Sequence, residues 1–253
     1  MSGHTILIAV LLSLAAGLST GVGSLISLTI KKLESKHLSF ILGFSAGVMI
    51  YISFMDLIPQ AINQVGFLQA NLAFFGGIII MAGIDFLVPH DYIAEKFNKN
   101  GFKDSKLIKA GLLTFIGIAI HNFPEGLAVG IVSLEGLRFG IPLALAIALH
   151  NIPEGIAVAI PIYAATKSKK KSFWFSLLSG ITEPVGALIG ILILLPILSQ
   201  NLIYGMFAFV AGIMVFISFD ELLPICFANY KGHIAIAGLI LGMGIMATSL
   251  FII

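Results

Sequence analysis

Cysteine is almost absent from this chain. Cys226 stands alone among 253 residues, which excludes an internal disulfide and any thiolate metal cluster. Charge is scarce too: 10% of residues are charged and 58% hydrophobic, against a charged share of about 25% in soluble domains. The stretches between apolar segments are short, so no separate soluble domain fits between them. No basic residue precedes the first apolar segment, and that segment is too long for a signal-peptide core, so it reads as a retained first helix. The composition therefore describes an all-α membrane protein.

What is present is long and apolar. Uninterrupted apolar windows of at least ~18 residues mark membrane-spanning helices. They predict eight spans, at about 5–30, 39–59, 70–88, 108–132, 140–165, 172–198, 202–226 and 232–253. Alternate loops carry Lys31, Lys32 and Lys36, then Lys96, Lys99, Lys103, Lys106 and Lys109, then Lys167, Lys169, Lys170 and Lys171, then Lys231; the opposite loops carry only Arg138. Such a bias marks the cytoplasmic side. It places both termini outside the cytoplasm, as an even number of spans requires. These basic loops set topology and do not indicate nucleic acid. The longest, about 89–107, is polar and Lys-rich with Asn-Gly at its tip, and reads as a mobile cytoplasmic segment.

The sequence repeats itself. The run from Ala46 to Pro59 echoes the run from Ala211 to Pro224, with eight of fourteen positions identical. Span 2 thus matches span 7. At nearly the same offset, Gly17–Gly23 in span 1 resembles Gly180–Gly186 in span 6, and span 3 falls to span 8 with weak similarity. A shift of five spans is odd, so the halves run oppositely through the bilayer. The predicted layout is a single integral membrane domain, 1–253, in a 3+2+3 arrangement. Inverted repeats at about 5–88 and 172–253 flank central helices at 108–165, as in secondary transporters whose site lies at the midplane. Gly pairs four apart, such as Gly43/Gly47 and Gly238/Gly242, read as helix-packing contacts.

The central helices carry a doubled motif, His121-Asn122-Phe123-Pro124-Glu125-Gly126 and His150-Asn151-Ile152-Pro153-Glu154-Gly155. Ionisable groups within a span are costly and by default functional. His and Glu four apart share one helix face. The proline between them cannot donate a hydrogen bond and crowds the carbonyl four residues back, at Ile120 and Leu149. Imidazole and carboxylate without thiolate suit zinc first, and also Fe, Mn, Co, Ni or Cd. Asn122 and Asn151 add weak oxygen donors. Glu183, followed by Pro184 in span 6, brings a third carboxylate to the same depth. Three ionised glutamates offset three of the four charges of two divalent ions, so one ion or two fit these donors. A lone His within a span is commonly a satisfied core group; two identical motifs plus Glu183 are not explained that way.

Asp56 falls near the outer end of span 2, and Asp220 and Glu221 near the inner end of span 7. The repeat thereby puts carboxylates at both mouths, as candidate entrance and exit residues. Asp85, His90 and Asp91 cluster at the inner end of span 3. His4, His37 and His233 read as solvated terminal or loop residues.

At these residues the sequence resembles the ZIP (Zrt/Irt-like) family of divalent metal transporters, in its GufA/ZupT-like bacterial branch. The resemblance covers essentially the whole chain and is carried by the paired His-Asn-x-Pro-Glu-Gly motifs. It implies a binuclear centre, with one ion on His121, Glu125, His150 and Glu154. A second would lie on Asn122, Asn151 and Glu183 with the same bridging glutamates. It further implies a transported divalent metal rather than a prosthetic group, uptake across the cell membrane into the cytoplasm, a homodimer, and an elevator-like motion of helices 1, 4, 5 and 6 against helices 2, 3, 7 and 8. A His-rich cytoplasmic loop and a His-Glu-x-Pro-His-Glu motif, found elsewhere in the family, are absent here.

Two other classes bury similar groups. An intramembrane zinc hydrolase needs three ligands, an open water position and a separate base. This chain has no His-Glu-x-x-His and no evident buried nucleophile. A divalent cation channel would keep the same site without alternating access.

Overall fold

The structure, a computed structural model, describes residues 3–29, 34–87, 105–194, 199–229 and 232–252. Eight of its helices are long and apolar enough to cross a membrane, and no strand occurs among the described residues. They are α1 (Gly3–Leu28), α2 (Ser35–Ile52, a π-helical turn Ser53–Leu57, then Ile58–Val65), α3 (Phe67–Leu87), α4 (Ser105–Glu135) and α5 (Leu137–Thr166). There follow α6 (Lys169–Ile189 with a π-helical turn Gly190–Leu194), α7 (Gln200–Phe216, a π-helical turn Ile217–Leu222, then Leu223–Asn229) and α8 (Gly232–Ile252). The eight expected spans are present, and several helices run a turn beyond their apolar windows. Lys31, Lys32, Lys96, Lys99, Lys103 and Lys231 lie outside the described residues, as do His90, Asp91 and most of the 89–107 loop.

Two features of the repeat are structural and were not expected. Ser53–Leu57 and Ile217–Leu222 both widen into π-helical turns just before Pro59 and Pro224. A proline removes one N–H and collides with the carbonyl four residues back, and one extra residue per turn relieves that collision. By contrast, α4 and α5 run through Pro124 and Pro153 as continuous α-helix. Sharp reversals fall instead at Gly66 (φ 86°), between α2 and α3, and at Gly136 (φ 149°), between α4 and α5. Both values belong to backbone that side chains disfavour.

The helices sort into two groups. In one, α1, α4, α5 and α6 pack on each other; in the other, α2 packs on α8 and α3 on α7. Exchanging α1 with α6, α2 with α7, α3 with α8 and α4 with α5 leaves this set of pairs unchanged. The glycines keep the same register. A Cβ on Gly47 would fall on the Leu239 carbonyl, and one on Gly212 on the Phe74 carbonyl. Likewise Gly23 meets the Ile152 carbonyl and Gly186 that of Phe123. By these contacts α8 stands to α2 as α3 stands to α7. In lipid, such close backbone approach supplies the dispersion contacts that burial of apolar surface supplies in water.

Outer faces are apolar. On α3, Ile79 is 69% and Phe86 85% exposed, a surface suited to hydrocarbon and not to water.

Candidate metal centre

Each motif helix places its histidine and glutamate one turn apart, and the crossing of α4 and α5 brings the two sets together. His121 Nε2 lies 3.1 Å from Glu125 Oε1 on its own helix and 3.0 Å from Glu154 Oε1 on α5. His150 Nε2 lies 2.9 Å from Glu125 Oε1, and the two imidazole centroids are 6.2 Å apart. Donor atoms of His121, His150 and Glu154 fall within 4.8 Å of one another. All four side chains are buried.

The asparagines are held by main chain from the flanking helices. Asn151 Nδ2 donates to the Ala16 carbonyl at 3.0 Å, and Asn122 Nδ2 to the Ser179 carbonyl at 3.1 Å. Asn151 Nδ2 also donates to Glu183 Oε1. With the amide nitrogens so engaged, Asn122 Oδ1 and Asn151 Oδ1 are buried acceptors without a hydrogen-bond partner. Glu183, fully buried on α6, is also seated closely against α4: a Cβ on Gly126 would collide with the Glu183 main chain.

The centre is left electrostatically incomplete. Glu125 Oε2, Glu183 Oε2, both oxygens of Glu154 and both ring nitrogens of His121 are buried and make no hydrogen bond. His121 Nε2 therefore sits close to two carboxylates without aligning an N–H on either. Buried carboxylates are tolerated when paired or when they coordinate metal. Converging lone pairs with no hydrogen between them are what a divalent cation satisfies. Of the seven residues singled out in sequence, the structure brings His121, Glu125, His150 and Glu154 together and joins Asn151 to Glu183, while Asn122 is placed against the Ser179 carbonyl of α6.

The carboxylates expected at the entrance and exit fall into two separate groups. Asp56 lies in the α2 π-helical turn and accepts a hydrogen bond from Gln60 Nε2 at 2.8 Å. Asp56 and Gln60 line the same cavity as Glu125 and His150, a space of about 80 Å³. Gln60 went unnoticed in the sequence, although its i,i+4 spacing from Asp56 was visible. At the opposite end Asp85, Asp220 and Glu221 come together within 4.8 Å, and Asp220 is exposed. Lys109 Nζ, read from sequence only as a topology signal, lies 2.7 Å from Asp85 and 3.9 Å from Glu221. Of the other histidines, His4 and His233 are exposed. His37 is instead partly buried, its Nδ1 accepting from the Glu34 N–H at 3.3 Å to close the start of α2.

Gly126→Ala tests how the third carboxylate is positioned. The added methyl must push α6 away, at a cost of about 1–3 kcal/mol for overpacking, and zinc affinity of the purified protein should drop. An unchanged zinc titration in a folded variant would show that this contact does not position Glu183.

These features define a class: a multi-pass helical membrane protein whose spans enclose a cluster of metal-ligand side chains. More particularly, the chain belongs to the ZIP family of zinc transporters, a family of transporters and not of enzymes; the family model described as "ZIP Zinc transporter" matches residues 88–250. Among curated relatives, "Zinc transporter ZupT" of Streptococcus mutans is 50% identical, covering 100% of this chain and 99% of its own length. The protein of the same name from Chlorobium phaeovibrioides is 48% identical, covering 97% of each chain. That of Clostridium perfringens is 45% identical over 98% of this chain and 97% of its own.

Proposed function

We propose that this protein carries zinc, and divalent ions of similar donor preference, across the cell membrane into the cytoplasm by alternating access. The observation that carries this reading is the cluster of buried imidazole and carboxylate donors left without hydrogen-bond partners where α4 and α5 cross. His121, Glu125, His150 and Glu154 hold one ion. Asn122, Asn151 and Glu183 hold a second, with Glu125 and Glu154 bridging. For both glutamates the Oε1 atom lies within 3.1 Å of an imidazole nitrogen while Oε2 makes no hydrogen bond, as a bridge requires. Asp56 with Gln60 forms the outer entrance, and Asp85, Asp220 and Glu221 the cytoplasmic exit. Both termini lie outside the cytoplasm.

The whole chain works as one membrane domain in an inverted 3+2+3 arrangement, and the exchange symmetry of the helix pairs supports this. Motion is elevator-like, α1, α4, α5 and α6 moving against α2, α3, α7 and α8. Glycine contacts support that division. Backbone-on-backbone approaches such as Gly17 with Gly180 and Gly47 with Leu239 fall within a group, whereas the α7 atoms nearest a Cβ on Gly117 of α4 belong to the Ile217 and Ile213 side chains. Two copies form a homodimer, a state that molar mass in detergent would check.

The test is flux of zinc into proteoliposomes with competing divalent ions, with and without an imposed pH gradient. Saturable uptake, competed by cadmium or iron and not by calcium or magnesium, is the expected result. Metal and protons compete for the same lone pairs, and free imidazole titrates at about 6.5. Zinc affinity should therefore weaken as the pH falls from 7.5 to 5.5. Unsaturable flux at channel rates, or affinity that does not change with pH, would contradict the reading.

A further inference from the structure

The supports that α1 and α6 give the two asparagines match across the centre. Asn151 on the Ala16 carbonyl (3.0 Å) corresponds to Asn122 on the Ser179 carbonyl (3.1 Å). Ser19 Oγ donates to Ala16 O at 2.6 Å, and Thr182 Oγ1 to Ser179 O at 2.6 Å. A Cβ on Gly155 would strike the Thr20 main chain, as one on Gly126 strikes that of Glu183. The counterpart of Glu183 is therefore Thr20, a carboxylate on α6 answered by a hydroxyl on α1.

Thr20 is fully buried and its hydroxyl donates back to the Gly17 carbonyl of its own helix. A Cβ on Gly17 would lie 3.4 Å from Glu183 Cβ, and one on Gly180 would fall on Thr20 Oγ1. Each side chain thus faces a glycine of the other helix.

We propose that Thr20 sets the affinity of the ion beside Glu183. By withholding a fourth carboxylate, it leaves two divalent ions facing three buried negative charges, so one positive charge stays uncompensated and favours release. This rests on the reading of Asn122, Asn151 and Glu183 as ligands of a second ion.

The test is equilibrium zinc binding by purified protein, with zinc alone as the probe and thermal unfolding as the folding check. Wild type should bind two equivalents and Glu183→Thr one. The exchange variant Thr20→Glu/Glu183→Thr should recover the second equivalent, because Asn122 stands to residue 20 as Asn151 stands to residue 183. Thr20→Glu alone should hold the second zinc about tenfold tighter, since ligand charge count tunes affinity by decades, and its zinc flux in proteoliposomes should slow without a rise in KM. If Thr20→Glu fails to insert, Thr20→Asp carries the same charge on a shorter stem and must shift affinity the same way. An exchange variant that binds no more zinc than Glu183→Thr, or a carboxylate at 20 that leaves affinity unchanged, overturns the proposal. One equivalent in wild type with no loss in Glu183→Thr removes the two-ion reading, and this inference with it. Loss without recovery overturns the inference alone.

Discussion

Zinc uptake by His121→Ala and by His150→Ala should fall to the background of protein-free liposomes, while both variants insert and elute as wild type does. Each imidazole stands against a buried carboxylate, at 3.0 Å for His121 with Glu154 and 2.9 Å for His150 with Glu125. Removing either one takes away a nitrogen donor that no neighbour can replace. Alanine is a good helix former, so α4 and α5 should persist. The readout is radiometal flux beside size-exclusion elution and thermal unfolding. Wild-type flux in both variants would remove the assignment of the site.

Glu125→Gln comes next in size. Glu125 Oε1 lies within reach of both imidazoles, 3.1 Å from His121 and 2.9 Å from His150, and Oε2 is buried without a hydrogen-bond partner. The amide keeps the shape and removes the charge. A bridging carboxylate serves both ions, so both equivalents of zinc should weaken together, by at least about a hundredfold given how steeply ligand charge sets affinity. Loss of one equivalent with the other unaffected would mean that Glu125 serves one ion and does not bridge. The same substitution separates a carrier from a hydrolase. A general base could be lost with metal still bound, whereas a bridging ligand could not.

Much of the architecture was legible because its signals are local. Helical rise and hydrocarbon thickness turn an apolar run into a span, so eight spans could be counted from composition along the chain. The π-helical turns were not legible. Pro59 and Pro224 follow π-helical turns while Pro124 and Pro153 sit in continuous α-helix, so the presence of proline alone does not tell the two cases apart. The motif likewise showed that His121 and Glu125 share a face, but not that Glu154 would come within 3.0 Å of His121. Lys109 was passed over for the same reason, since it acts through Asp85 and Glu221, partners that no periodicity names.

The sequence by itself determined the solvent this chain lives in, the number of its spans and the chemistry of its donors, because hydropathy, helical spacing and side-chain type are properties of short stretches. Tertiary structure alone decided which helices meet, that Ala16 and Ser179 hold the two asparagines, and that Thr20 meets Gly155 where Glu183 meets Gly126. Those facts depend on glycines letting helices far apart in the chain touch backbone to backbone, and a contact of that kind leaves no local trace.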